Sequence, residues 1–224
     1  RELLEMRDGL DFVEDYVDDR ASDVIEMLFG SGKADVAAYA AARSLAHEPG
    51  SRFNYSSGTT NIISRMVGDL LGGEAAMRAA LEDRLFGPLG MTTATPTFDE
   101  AGTFVASSYV HAVATDFARF GLMLCRGGLA GERRVVPESW IDALRVPVSF
   151  DEEDRRFYSL QTWVADDELG TFWANGFEGQ RIVACPPLDL VIVRLGSTPA
   201  EHAAELDDWW LDIVDAFARD AGLR

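Results

Sequence analysis

Apolar residues recur at helical spacing through the first two thirds of the chain. Leu3, Leu4 and Met6 open a helical-looking stretch that stops at Gly9. An Ala-rich segment from about Asp35 to Leu45 predicts a second helix. His47-Glu48-Pro49-Gly50 predicts a turn, with Pro followed directly by Gly. From Asn61 to Leu71, the residues Ile62, Ile63, Met66, Val67 and Leu70 share one side of an amphipathic helix that Gly72-Gly73 ends. Another helix is expected over about Glu74 to Leu85, broken by Gly87-Pro88. Thr115 can cap a helix from Asp116 to Arg126, whose apolar set is Phe117, Phe120, Leu122, Met123 and Leu124. Pro137 suits the first position of a helix over Glu138 to Leu144.

The period then shortens. Phe157 to Val164, Thr171 to Ala174, Arg181 to Ala184 and Leu190 to Leu195 read as strands, punctuated by Gly170, Gly176, Gly179 and Pro186-Pro187. A last helix is expected from about Ala200 to Ala221, with Leu206, Trp209, Trp210, Ile213, Val214 and Phe217 as the stripe that packs on the sheet. Helices, then an antiparallel meander, then a covering helix make an α+β layout. Residues 1–150 form a mostly helical part and 151–224 the strands and C-terminal helix of one domain. Three or four strands leave an edge in want of a partner. The chain opens without a cap inside a helical-looking stretch, so further sequence is expected before Arg1, and that segment could supply the partner.

Composition narrows the function. Hydrophobic residues at 47% and charged residues at 26% suit a solvated protein with a substantial core. A formal net charge of −18 argues against nucleic acid and anionic membrane surfaces, which need clustered Lys and Arg. No apolar run reaches the roughly 20 residues that span a bilayer. Lys33 is the only lysine among 20 basic residues, which matters for any mechanism that needs one. Cys125 and Cys185 lie in no C-x-x-C, and three histidines complete no zinc pattern. The sequence leaves a single disulfide between the two cysteines open.

The segment richest in candidate chemistry is Pro49-Gly50-Ser51-Arg52-Phe53-Asn54-Tyr55-Ser56-Ser57-Gly58. It delivers a tyrosine just before a helix, where the helix dipole favours phenolate and a nearby lysine would favour it further. Such a tyrosine can take a proton from a serine and return it to a leaving group. Read alone, the segment favours an ordinary half-buried tyrosine with a hydrogen-bonded hydroxyl for Tyr55.

Five segments in order change that balance. Leu3-Leu4-Glu5-Met6-Arg7-Asp8-Gly9-Leu10, Pro49-Gly50 with Tyr55-Ser56-Ser57, Asp116-Phe117-Ala118-Arg119-Phe120-Gly121, Pro137-Glu138-Ser139-Trp140 and Ala174-Asn175-Gly176-Phe177-Glu178-Gly179-Gln180 cover nearly the whole chain. Together they resemble the β-lactamase and penicillin-binding-protein superfamily, in particular its class C β-lactamase, D-alanyl-D-alanine carboxypeptidase, esterase and nylon-oligomer hydrolase group. The resemblance implies a β-lactamase/transpeptidase-like fold of which the N-terminal part of the sheet is missing. It also implies acyl-enzyme chemistry on a small ester, amide or β-lactam, with no metal or organic cofactor. It makes Tyr55 the general base and acid, Ser57 a hydrogen-bonding group to substrate or lysine, and the backbone N–H of Phe177 an oxyanion donor. Asn175 and Gly176, in the place of a Lys-Thr-Gly strand motif, would line the substrate site.

The sequence departs from the family pattern in three places. No serine has a lysine three residues on, and Ser31-Gly32-Lys33 has the wrong spacing, so the Ser-x-x-Lys nucleophile is expected before Arg1. Ala174-Asn175-Gly176 lacks the cation that engages a substrate carboxylate, which favours esters or amides over penicillin-like substrates. Ser57 is shorter than the family's asparagine. His111 and Trp173 are further candidates for the cleft wall, although a histidine there is more often structural and an aromatic on a strand more often core. Asp151-Glu152-Glu153-Asp154-Arg155-Arg156 reads as a solvated loop. There is no Gly-x-Ser-x-Gly elbow, and Gly30-Ser31-Gly32-Lys33 falls short of a phosphate loop. The competing reading is a catalytically inactive binding or scaffold protein on the same fold.

Overall fold

The structure, a computed structural model, describes residues 1–16 and 22–223. Helices α1 (Asp23–Phe29), α2 (Val36–Ala41), α3 (Ser57–Leu71) and α4 (Glu74–Leu81) come first; a π-helical turn (Glu82–Phe86) then leads into α5 (Gly87–Leu89). Two short ladders flank the next helix: β1 (Thr95–Pro96) pairs with β2 (Val110–His111), α6 (Ala114–Cys125) follows, and β3 (Leu129–Ala130) pairs with β4 (Arg133–Arg134). After α7 (Glu138–Leu144) comes a six-stranded antiparallel meander: β5 (Ser149–Asp151), β6 (Arg156–Tyr158), β7 (Trp163–Val164), β8 (Phe172–Gly176), β9 (Gln180–Cys185) and β10 (Leu190–Arg194). Helix α8 (Ala203–Asp220) closes the fold. Among the described residues no helix is long and apolar enough to cross a membrane.

The sheet is covered on both faces, and strand alternation divides its side chains between two cores. Trp163, Trp173, Val183 and Cys185 point to one face and pack with Trp210, Val214 and Ala218 of α8. Their neighbours Val164, Phe172 and Ala184 point to the other face and meet Met123 and Cys125 of α6, Ile141 and Leu144 of α7, and Phe86, Leu89 and Met91. A third core, of Phe12, Val24, Met27, Val36, Ala40 and Val105, holds the helical part together. Helix α6 reaches the sheet at Gly121, where an added Cβ would meet Val191 Cγ1 at 2.5 Å and Ile182 Cγ2 at 3.1 Å.

Several expectations are corrected. Residues 2–6 form turns rather than a helix, because the amides of Leu4, Glu5 and Met6 reach only back to Arg1 and Leu3 and Met6 takes φ 54°. Gly87-Pro88 does not break its helix; a π turn absorbs the residues and the chain continues helically to Leu89. Thr115 lies inside α6, whose first turn is held instead by Asp116, which accepts the N–H and hydroxyl of Thr93 at 2.8 and 2.7 Å. Pro137 is the cap of α7, one position outside it. The strand expected over Phe157 to Val164 is two strands joined by a turn, with Gln161 at φ 67°. The charged run 151–156 is the tip of a further hairpin in which Asp151 faces Arg156, its middle residues exposed as expected. Both cysteines are buried free thiols.

The largest correction concerns α3. Its apolar residues Met66, Val67 and Leu70 are exposed, and its polar residues Ser57, Thr59, Asn61 and Ser64 are buried. Each buried group has a partner. Thr59 Oγ1 donates to Asp8 Oδ2 at 2.5 Å, Asn61 Nδ2 to Ser107 Oγ at 3.1 Å, and Ser64 Oγ to the Phe104 carbonyl at 2.6 Å. Satisfied polar groups can face inward as cheaply as apolar ones, so periodicity alone does not orient a helix.

Candidate active site

The turn before α3 forms as the sequence predicts. Ser51 N–H bonds back to the Glu48 carbonyl at 3.0 Å, with Pro49 and Gly50 between them and Gly50 at φ 84°. Ser56 then caps α3, its side chain accepting from Thr59 N–H at 3.0 Å. Asn54 ties the segment to the N-terminal run through the carbonyls of Met6, Leu10 and Phe12. Tyr55 is thereby fixed between the helical part and the sheet. Its ring stacks on Trp163 at 5.4 Å and meets Tyr158 edge-on at 6.0 Å.

Tyr55 lines a cleft of about 2510 Å³ between the helical part and the sheet. Ser57, His111, Asn175, Gly176 and Phe177 line the same cleft. Six of the seven expected residues are thus brought together. His111 lies exposed on β2 with its ring over Tyr109, centroids 6.3 Å apart. Asn175 presents a buried Oδ1 that has no hydrogen-bond partner among the described residues. Trp173 is the exception. It is 5% exposed and sits in the core against Trp210 at 5.1 Å, outside the lining; its cross-strand neighbour Trp163, on the same sheet face, is the tryptophan that lines the cleft. Lys33 lies in an exposed turn and is not part of the lining.

Sequence reasoning missed Glu14 and Tyr16. Glu14 accepts from Ser57 twice, at 2.5 Å from the hydroxyl and 2.8 Å from the backbone N–H. The Tyr16 hydroxyl donates to Glu14 at 2.9 Å, lies 3.5 Å from Ser57 Oγ, and its ring stacks on Phe177 at 4.6 Å. Ser57 therefore commits its hydroxyl hydrogen to Glu14. No local signal marks Glu14: it lies 43 residues from Ser57, in a stretch with neither helical nor strand periodicity.

The electrostatics run against the sequence expectation for Tyr55. Burial pushes its phenol up from the usual range, and the Glu14 carboxylate adds to the effect, so within residues 1–224 Tyr55 is held neutral. Tyr16 is raised for the same two reasons. Glu14 itself is raised by burial, which outweighs the hydrogen bonds from Ser57 and Tyr16 that favour its charged form. Among the described residues no group of three or more His, Cys, Asp or Glu side chains could hold a metal ion.

The chain has relatives. The 6-aminohexanoate-dimer hydrolase of Paenarthrobacter ureafaciens is 31% identical over 217 residues, which are 88% of this chain and 54% of the relative, so the chain spans about half of that protein's length. A Bacillus anthracis structure assigned as a 6-aminohexanoate-dimer hydrolase superposes with a TM-score of 0.80 at 20% identity, covering 99% of this chain and 61% of that one. A Mycobacterium bovis β-lactamase structure gives a TM-score of 0.67 at 18% identity, covering 98% and 73%. At those identities the two structures speak for the fold alone. The sequence model of the β-lactamase family matches residues 1–216, and with the fold and the cleft in agreement the chain belongs to the β-lactamase family.

Proposed function

We propose that these residues are the larger part of a serine hydrolase that cleaves an ester, amide or β-lactam through an acyl-enzyme. The observation that carries this reading is the convergence of Tyr55, Ser57 and the Asn175–Gly176–Phe177 segment on one cleft. The nucleophile is a serine in a Ser-x-x-Lys run upstream of residue 1. The cleft is several times the roughly 300–1000 Å³ of a small-ligand site, which leaves room for that run beside the substrate. The lysine's charge is what would bring the Tyr55 phenol down into a working range.

In the reaction the serine Oγ attacks the carbonyl carbon and its proton passes to Tyr55. The carbonyl oxygen, now an anion, lies between the nucleophile's own N–H and that of Phe177; one such donor is worth about 3 kcal/mol of barrier. The leaving group departs with the proton from Tyr55, and water releases the acyl group by the reverse proton path. Esters and amides are favoured over penicillins. Ala174-Asn175-Gly176 offers no cation to a substrate carboxylate, and the nearby Arg181 is buried against Asp207. The similarity to a 6-aminohexanoate-dimer hydrolase points the same way.

The test is a fluorophosphonate and a penicillin, each applied to the full-length protein and read by intact mass. A one-equivalent adduct with the fluorophosphonate supports the reading, and the penicillin result separates the substrate classes. Tyr55→Phe is expected to lower kcat by roughly 10²–10⁴-fold. Hydrolysis unchanged by that substitution rejects the mechanism. The raised phenol of Tyr55 also suits a non-catalytic relative that keeps the cleft for binding, and absence of any adduct would favour that reading.

A further inference from the structure

Arg181 on β9 is only 5% exposed, and the chemistry above makes no use of it. Its Nη2 lies 3.2 Å from Asp207 Oδ1 on α8. Its Nη1 donates to the Gly176 carbonyl at 3.3 Å and to the Gln180 carbonyl at 3.1 Å. Asp207 also accepts from Trp210 Nε1 at 3.1 Å and pairs with Arg156. The turn that follows Gly176 is gripped in the same manner. Gln180 Nε2 donates to the Phe177 carbonyl at 3.1 Å, while Arg194 Nη1 donates to the carbonyls of Glu178 and Gly179 at 3.4 and 2.9 Å. Five successive carbonyls, 176 to 180, thus each receive a side-chain donor.

A buried ion pair is a costly way to add stability, and an apolar pair of similar volume often serves as well. What the pair can do that an apolar pair cannot is hold one peptide plane. In a trans peptide the C=O and the next residue's N–H lie in one plane and point in opposite directions. Holding the Gly176 carbonyl on Arg181 therefore turns the Phe177 N–H to the opposite side. A cation on the carbonyl also polarises the peptide and strengthens its N–H as a donor. We infer that Arg181, held by Asp207, is a positioning residue that aims the Phe177 N–H at the oxyanion.

The inference rests on the acyl-enzyme reading above, and the test separates the two. Arg181→Met and Asp207→Asn are made in the full-length protein and assayed on a chromogenic ester after near-UV circular dichroism confirms folding. Loss of a whole oxyanion donor costs about 10²–10³ in kcat, so a misaimed one is expected to cost roughly 10- to 100-fold in Arg181→Met and less in Asp207→Asn. KM stays within about twofold, because the donor acts on the transition state. Affinity for a boronic acid, whose tetrahedral adduct carries the oxyanion, falls by the same factor as kcat/KM; a purely structural role would not produce that parallel. Should Arg181→Met fail to fold, Asp207→Asn decides. Unchanged kcat in the folded variant, or a fall in kcat with boronate affinity intact, overturns the inference. Wild-type protein that takes no fluorophosphonate overturns the hydrolase reading itself, and the inference with it.

Discussion

Glu14 places a largely buried carboxylate in the cleft lining. Its carboxylate takes three hydrogen bonds from Ser57 and Tyr16, yet burial still raises its pKa, and its charge helps hold the phenols of Tyr16, Tyr55 and Tyr158 up. A carboxyl whose pKa is higher folded than unfolded binds more protons in the native state. Its contribution to stability is complete below the unfolded pKa, about 4.5, and is lost as pH rises through the folded value. Glu14→Gln removes that titration. Urea unfolding from pH 4 to pH 8 is expected to show the stability of Glu14→Gln rising relative to wild type as pH increases. A difference that is flat or falls with pH would contradict the burial of this charge. Tyr55, Ser57, Asn175 and Phe177 were candidates because they stand in segments that resemble family motifs, and all four line the cleft. Glu14 was not, because only tertiary folding brings it to Ser57.

Helix α6 shows how an element can be legible while its contact is not. Its limits follow from periodicity and from Gly127-Gly128, which take φ 61° and 90°. Its expected apolar set, however, includes only one deeply buried member, Met123; a close approach to the sheet is made at Gly121, a position without a side chain to register in any hydrophobic pattern. Gly121→Ala places a methyl 2.5 Å from Val191 Cγ1, so the Val191 side chain or the backbone on one side must shift. Overpacking of this kind costs about 1–3 kcal/mol, which outweighs the roughly 1 kcal/mol that alanine offers over glycine inside a helix. The expected result is a lower urea midpoint with an unchanged m-value, and a midpoint at or above wild type would show that helix and sheet are not in close contact there. The opposite failure occurred at α3, where a strong apolar stripe faces solvent because hydroxyl and amide groups on the other side are bound by the segments they cover. The meander was legible as alternating strands. Its extra strand β5 and the split at Gln161 were not, since strands of two or three residues carry too little alternation to be seen.

At the scale of the molecule, the −18 formal charge opposes compaction, and the ion pairs do little to offset it. Pairs such as Arg126–Asp189 and Arg134–Glu138 are half exposed on both sides, and exposed pairs contribute about 0–1 kcal/mol each. Salt acts on both effects in opposite directions. It weakens local attraction within pairs, and it screens repulsion among the many acidic groups that have no basic counterpart. The screening length falls from roughly 30 Å at 0.01 M to 8 Å at 0.15 M, so long-range repulsion is lost first and short, partly shielded pairs such as Arg181–Asp207 least. Repulsion among unmatched acids is therefore the larger of the two changes, and the melting temperature at pH 7 to 8 is expected to rise as NaCl is added from 10 to 150 mM. The gain should shrink toward pH 4.4, the sequence pI, where the net charge vanishes. A melting temperature that falls with salt at neutral pH would mean that specific ion pairs, rather than net repulsion, govern the electrostatics of this fold.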